Sequence, residues 1–403
     1  MRSRTVRLLA VAVAFAVAIG VGGAIGLAAR PSPSIDRDAV GRSSSPAPLP
    51  PRRPVRVDTM LAWTYGPLPD GFAARIAALP AVAHAVAVVS GTAWLTRSYS
   101  GDGALVDRPA GGLAIPLEVA AADLRAYVPF LSPAHRILLP ELERGQAVLG
   151  TASAGLRRLG AGGALLFGRR RVTVAGVVSD EEVGAHEVFL SRAAAARLGV
   201  TEDRYVLIDP RPGVSRDRLA ARIRALLPAG VPLRVRGPGE TTFLRQGDAV
   251  LAPVFLKRDF GEFAARPVAG GFLQVEPSWE AAHIVDARVP ILGRVRCNRG
   301  ILPQLRGALG DVEGQGLAHL VDPSEYGGCF VPKFIRNNPA SAVSHHTWGV
   351  AVDLDVGQNP FGHTPHMDRR IVDIFERWGF IWGGRFLVPD GMHFEFVRFS
   401  SGG

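Results

Sequence analysis

Two short segments near the C-terminal end bring together side chains that can do chemistry. "SHHTWGVAVDLDV", Ser344 to Val356, sets His346 and Asp353 beside Val350, Val352 and Leu354; "PDGMHFEF" sets Asp390 and His393 ahead of Phe394 and Phe396. Two histidines and one carboxylate are a frequent ligand set for a catalytic zinc ion, which keeps a fourth position for water. His346, Asp353 and His393 are therefore candidate metal ligands. Asp390, three residues before His393, is a candidate general base outside the ligand set. Taken singly, each has an ordinary alternative, because histidines are commonly surface or satisfied core groups and aspartates commonly cap turns. The order S-x-H-x-x-G-x-A-x-D, an aromatic-rich helix, then D-x-x-H-x-E within one region favours the chemical reading.

Such residues need rigid supports. If Gly349 to Val356 is a strand, Val350, Val352, Leu354 and Val356 face one way and Ala351, Asp353 and Asp355 the other. His346, just upstream, then brings its imidazole to the aspartate's side. In the second segment His393, Glu395 and Val397 share one strand face while Phe394 and Phe396 take the core face. Two amphipathic helices flank these strands. "RGILPQLRGALGDV" aligns Leu302, Leu305, Leu309 and Val312, and "MDRRIVDIFERWGF" aligns Met367, Ile371, Ile374, Phe375 and Trp378, with Gly379 as a stop.

Residues from about 272 to 398 resemble the zinc D-alanyl-D-alanine carboxypeptidase family, which includes vancomycin-resistance-type D,D-carboxypeptidases and L-alanyl-D-glutamate endopeptidases. The match runs through Ser344, His346, Gly349, Ala351 and Asp353, then Asp390, His393 and Glu395. The resemblance implies Zn2+ on His346, Asp353 and His393, Asp390 as the base, and a peptidoglycan stem peptide as substrate. The carboxypeptidase branch usually carries glutamate as the base, so Asp390 is closer to the endopeptidase type. The family's upstream arginine, which contacts the substrate carbonyl, corresponds here to Lys333 after "GGCFVP", with Arg336 three residues on. Lysine is a point charge rather than a planar fork, so either residue is a candidate for that contact. His345, His363 and His366 match nothing in the pattern and are expected to face solvent or support the site. Trp348 and Trp382 are expected as cleft walls or core aromatics.

At 403 residues the chain exceeds one ordinary core, so two or more domains are expected. Between about Val57 and Pro267, "HAVAVVSG", "RRVTVAGVVSD" and "RYVLIDP" read as strands, and "SRDRLAARIRALLP" as a helix capped by Ser215. This region faintly resembles the extracytoplasmic core domain of macrolide-exporter-type permeases. It holds no G-x-S-x-G, dinucleotide or H-E-x-x-H motif, so His186 is expected at the surface or a strand edge. Residues 31–56, rich in proline and serine, read as an extended spacer. The apolar run Leu8 to Ala29 follows Arg2, Arg4 and Arg7 and is long enough to cross a bilayer with the basic flank inside. A cleaved signal ending near Leu27-Ala28-Ala29 is the alternative.

The expected fold class is α+β. Residues 1–30 form a cytoplasmic flank and transmembrane anchor, 31–56 a linker and 57–267 an α/β extracytoplasmic module. Residues 271–403 form a peptidase domain with a small antiparallel sheet and flanking helices. Outside the cytoplasm, Cys297 and Cys329 can persist as a disulfide. The net charge of +10 comes from scattered arginines, with Lys257 and Lys333 the only lysines, so no phosphate-tracking stripe forms and nucleic acid is not an expected partner. The competing function is a membrane-anchored binding or scaffolding protein with a structural or idle zinc site.

Overall fold

Alternation of small and branched apolar residues builds the first part of the chain. In Ile115–Ala122, Leu117, Val119 and Ala121 enter one core while Ala120 and Ala122 enter another on the opposite face. The period of two lets one strand serve two layers. Eleven such strands between Met60 and Arg236 form one sheet, mostly antiparallel. At its centre Val82–Leu95 pairs with Asp203–Pro210 on one edge and Ile115–Ala122 on the other. Ile115–Ala122 with Val188–Ser191, and Ala147–Gly150 with Arg170–Val178, are parallel pairs. The expected strands are present, and Ser215 caps helix Arg216–Arg224 by accepting from Arg218 N. This computed structural model describes residues 58–248 and 251–402, which all fall in one compact unit. The run Leu8 to Ala29 and the 31–56 spacer lie outside the described residues, among which no helix is long and apolar enough to cross a membrane.

His186 departs from expectation: it is 1% exposed, stacked on Tyr205, with Nδ1 2.9 Å from Val183 O. Burial, reinforced by Arg245, pushes its pKa down to about 4, so it is a neutral core group at physiological pH. Nearby, Arg157 and Lys257 share the buried carboxylate of Glu187 at 2.9 and 2.8 Å, and Glu262 joins both cations. Lys257 lies on helix Pro253–Phe260, whose Phe260 packs edge-on against Phe396, 4.9 Å between centroids. One helix thus ties the large sheet to the C-terminal core through a paired ionic layer, where losing any partner leaves a buried charge uncompensated.

The C-terminal part is organised by its two helices. Leu302–Gly314 buries Leu302, Leu305, Leu309 and Val312, and Arg369–Arg377 buries Ile371, Ile374 and Phe375, both as the periodicity requires. Asp368 caps the second by accepting from Arg370 N. The second packs on a three-stranded antiparallel sheet in which His393–Phe396 lies between Ala351–Asp353 and Phe380–Trp382, and the first packs on the second and on strand Ile284–Val289. The strand expected over Gly349 to Val356 is shorter than its alternation implies. Gly349, at φ 66°, ends a 3-10 turn over His345–Trp348, and a Cβ there would sit 2.8 Å from Asn298 N. Asp355, at φ 50°, turns the chain away at the other end. Cys297 and Cys329 are joined, with Cα atoms 5.3 Å apart.

Candidate metal centre

Register assembles the cluster. Asp353 is the cross-strand partner of His393, Val352 of Phe394 and Ala351 of Glu395. Directly opposed residues share a face, so the aspartate and histidine meet above the sheet while Val352 and Phe394 pack below it. Small Ala351 leaves room beside them. The 3-10 turn, whose Ser344 side chain accepts from His346 N, swings the His346 ring to the same side. His346 Nε2 lies 3.2 Å from Asp353 Oδ1 and 3.2 Å from His393 Nδ1, and His393 Nδ1 lies 3.0 Å from Asp353 Oδ1. These three residues form the one group among the described residues whose ligand atoms converge as a metal site requires.

The donor chemistry fits a cation. His346 Nδ1 is 3.0 Å from the carbonyl of Cys329, and since a carbonyl only accepts, the proton sits on Nδ1 and the Nε2 lone pair faces the cluster. His393 Nε2 is 3.0 Å from Glu395 Oε2, which likewise leaves the Nδ1 lone pair inward. Such outer partners orient metal-ligating imidazoles. The triangle's edges of 3.0–3.2 Å also approach the roughly 3.3 Å between ligands of a tetrahedral ion with bonds of about 2.0–2.1 Å. Electrostatics point the same way. Burial pushes the Asp353 carboxyl up, yet His346 and His393 outweigh it and hold it far below the usual carboxylate range. Burial likewise lowers His393, yet its bonds to Asp353 and Glu395 raise it well above an ordinary imidazole, so a proton and a cation compete for its inward Nδ1. The pocket favours added positive charge.

Asp390 stands beside this triangle. Its backbone is clamped, with Asp390 N donating to Gly383 O at 2.9 Å and His393 N donating to Asp390 O at 3.1 Å. Its Oδ1 is buried and has no hydrogen-bond partner. Burial pushes the carboxyl above the usual aspartate range; His393 pulls it back and Asp353 adds to the rise. A carboxylate with a free buried oxygen and a raised proton affinity is suited to general base and acid work. Lys333 is half-buried, its charge reaching Asp390, while Arg336 is exposed at φ 54° with its guanidinium 5.0 Å from the Phe361 ring centroid. The structure therefore separates the two candidate cations rather than choosing between them.

Other expectations resolve differently. Trp348 is 1% exposed, and Trp382 is buried with its Nε1 donating to Gly391 O, so both are core aromatics. His363 and His366 are exposed. His345 is buried with Nδ1 3.0 Å from Glu395 Oε2, so two imidazoles share that carboxylate. Burial would raise Glu395, but His345 and His393 outweigh it and keep it ionised. Glu395 is thus the orienting partner of His393, a role its strand-face position hinted at without specifying. Gly383 was not singled out from sequence: a Cβ there would meet Asp390 O at 2.6 Å and the His393 Cβ at 3.1 Å.

Residues 337–396 match the family model described as D-alanyl-D-alanine carboxypeptidase. The match contains His346, Asp353, Asp390, His393 and Glu395 and begins after Lys333 and Arg336. It supports a metal-dependent peptidase of that type at family level, over a short C-terminal stretch. No curated protein matches the chain. Among solved structures, the periplasmic region of MacB from Actinobacillus actinomycetemcomitans is similar at 11% identity, covering 45% of this chain and 88% of that one with a TM-score of 0.32. The extracellular domain of the noncanonic ABC-type transporter YknZ from Gram-positive bacteria is similar at 11% identity, covering 40% and 87%, with a TM-score of 0.26. Likenesses this distant carry no functional argument.

Proposed function

We propose that the chain is a zinc-dependent peptidase that hydrolyses peptidoglycan stem peptides, as a D-alanyl-D-alanine carboxypeptidase or a related cell-wall endopeptidase. The observation that carries this reading is the unpartnered, buried Asp390 oxygen beside three convergent ligand atoms; a purely structural metal site has no use for it. His346, Asp353 and His393 would hold the ion. A bound zinc ion supplies an acidified water and polarises the scissile carbonyl. Asp390 accepts the proton of the attacking water, helped by a proton affinity already raised by burial. It returns that proton to the leaving amine, so the ionised carboxylate is restored after each turnover. Lys333 or Arg336 offsets the negative charge that develops on the carbonyl oxygen. Glu395 and the Cys329 carbonyl keep the two imidazoles from rotating.

The test is incubation of the zinc-loaded chain with a stem pentapeptide ending in D-Ala-D-Ala, followed by mass spectrometry. Loss of one alanine is expected; cleavage between L-Ala and D-Glu would assign the endopeptidase branch. A zinc-loaded chain that cleaves no stem peptide would instead favour the tethered binding or scaffolding protein.

The location we propose is the outer face of the cell membrane, held by the apolar run Leu8 to Ala29. Protease added to intact, wall-stripped cells should then remove the C-terminal part. A soluble protein with a mature N-terminus near Arg30 would show a cleaved signal instead.

A further inference from the structure

The large sheet also reaches the loops around the metal centre. Its first strand, Met60–Thr64, is followed by Tyr65, which reaches the loops around the cluster: the Tyr65 and Phe361 ring centroids are 5.8 Å apart. Phe361 is the ring that faces the Arg336 guanidinium at 5.0 Å. Burial pushes the Tyr65 hydroxyl up, Arg336 beside it pulls it down, and Asp390 lies within electrostatic reach. Three further contacts run from the sheet region to loops beside the cluster. Arg204 donates to Ala340 O at 3.1 Å, on the loop that carries Arg336. Arg234 donates to Arg385 O at 3.1 Å, and Leu387 N donates to Asp248 at 2.9 Å, both on the loop that ends in Asp390. Asp248 is itself buried and paired with Arg234.

Arg336 and Asn337 are consecutive left-handed residues, at φ 54° and 53°. Neither is glycine, and such a conformation persists where the surroundings hold it. Tyr65, Phe361 and Arg204 are part of those surroundings.

We propose that the sheet module is a working half of the substrate cleft, in which Tyr65 is a positioning residue that, with Phe361, holds the Arg336 guanidinium on the rim of the metal centre to receive a carboxylate or carbonyl of the peptide. Specificity then depends on a residue about 270 positions away in sequence from the residue it positions. This inference rests on the peptidase reading above.

The test uses the full chain with Tyr65→Ala, Tyr65→Phe, Arg336→Ala and the Tyr65→Ala/Arg336→Ala double variant. Tyr65→Ala should raise KM for the stem pentapeptide about tenfold with kcat and zinc content little changed, the pattern of a lost binding contact. Tyr65→Phe, which keeps the ring against Phe361, should recover part of that loss. Because Tyr65 acts through Arg336, the double variant should be no worse than Arg336→Ala alone; fully additive losses would overturn the proposal. Amide exchange supplies a readout independent of turnover. Tyr65→Ala should speed exchange in 335–342 while Ile115–Ala122 stays protected, and unchanged exchange with unchanged KM would overturn it as well. A parent chain that cleaves no stem peptide sinks the peptidase reading instead, and exchange in 335–342 then decides alone whether Tyr65 holds the Arg336 loop.

Discussion

Asp390→Asn will keep its metal and lose turnover by about 10²–10⁴-fold, the usual contribution of a positioned general base. The substitution preserves shape and removes the proton acceptor. The ligand triangle does not include Asp390, so elemental analysis should return the parent's zinc content. The pH profile supplies a second check. Asp390 must be ionised to accept a proton, so kcat/KM should fall as pH drops through its titration, and that acid limb should vanish in the variant. The stability sign is the reverse of a paired carboxylate's. A carboxyl that binds its proton more tightly when folded costs stability once ionised, so Asn should leave the fold as stable as the parent or slightly more so. An Asp390→Asn chain that cleaves stem peptides at the parent's rate would remove Asp390 from the mechanism and leave Glu395 as the remaining acid near His393.

His393→Ala will abolish stoichiometric zinc and with it all hydrolysis. It deletes one corner of the triangle and leaves Asp353 Oδ1 and His346 Nε2 as a two-ligand remnant. It also strips Glu395 of one of its two imidazole partners. A change one step further out should be milder. Glu395→Gln keeps every ligand but weakens the acceptor that orients His393, and should cost about 10–100-fold in zinc affinity. Competition against a chelator orders the three chains. Stoichiometric zinc in His393→Ala by elemental analysis would sink the ligand assignment.

Much of the centre was legible because strand periodicity couples chemistry to packing. Val350, Val352, Leu354, Phe394 and Phe396 had to share a core, which forced Asp353 and His393 onto the opposite faces of their strands. The helix faces around Leu305 and Ile371 followed from the same logic with a period of 3.6. What stayed hidden depended on backbone angles and distant partners. The strand is confined to Ala351–Asp353 because Gly349 before it and Asp355 after it adopt left-handed conformations, and alternation carries no mark of either. Gly383 is small because Asp390 and His393 crowd it from across a turn.

By itself, the sequence determined the residue types of the His-Asp-His cluster, the strand faces that present them, the acid three residues before the last histidine and the single cysteine pair. Each is a property of residues a few positions apart, or of a count that admits one solution. Only the tertiary structure decided that Asp353 sits opposite His393, that the Cys329 carbonyl and Glu395 set the two imidazole orientations, and that His186 is a neutral core group. The same holds for Tyr65 reaching the loop of Arg336 and for Lys257 sharing Glu187 with Arg157. Those contacts depend on register and on the three-dimensional approach of segments that no local pattern relates.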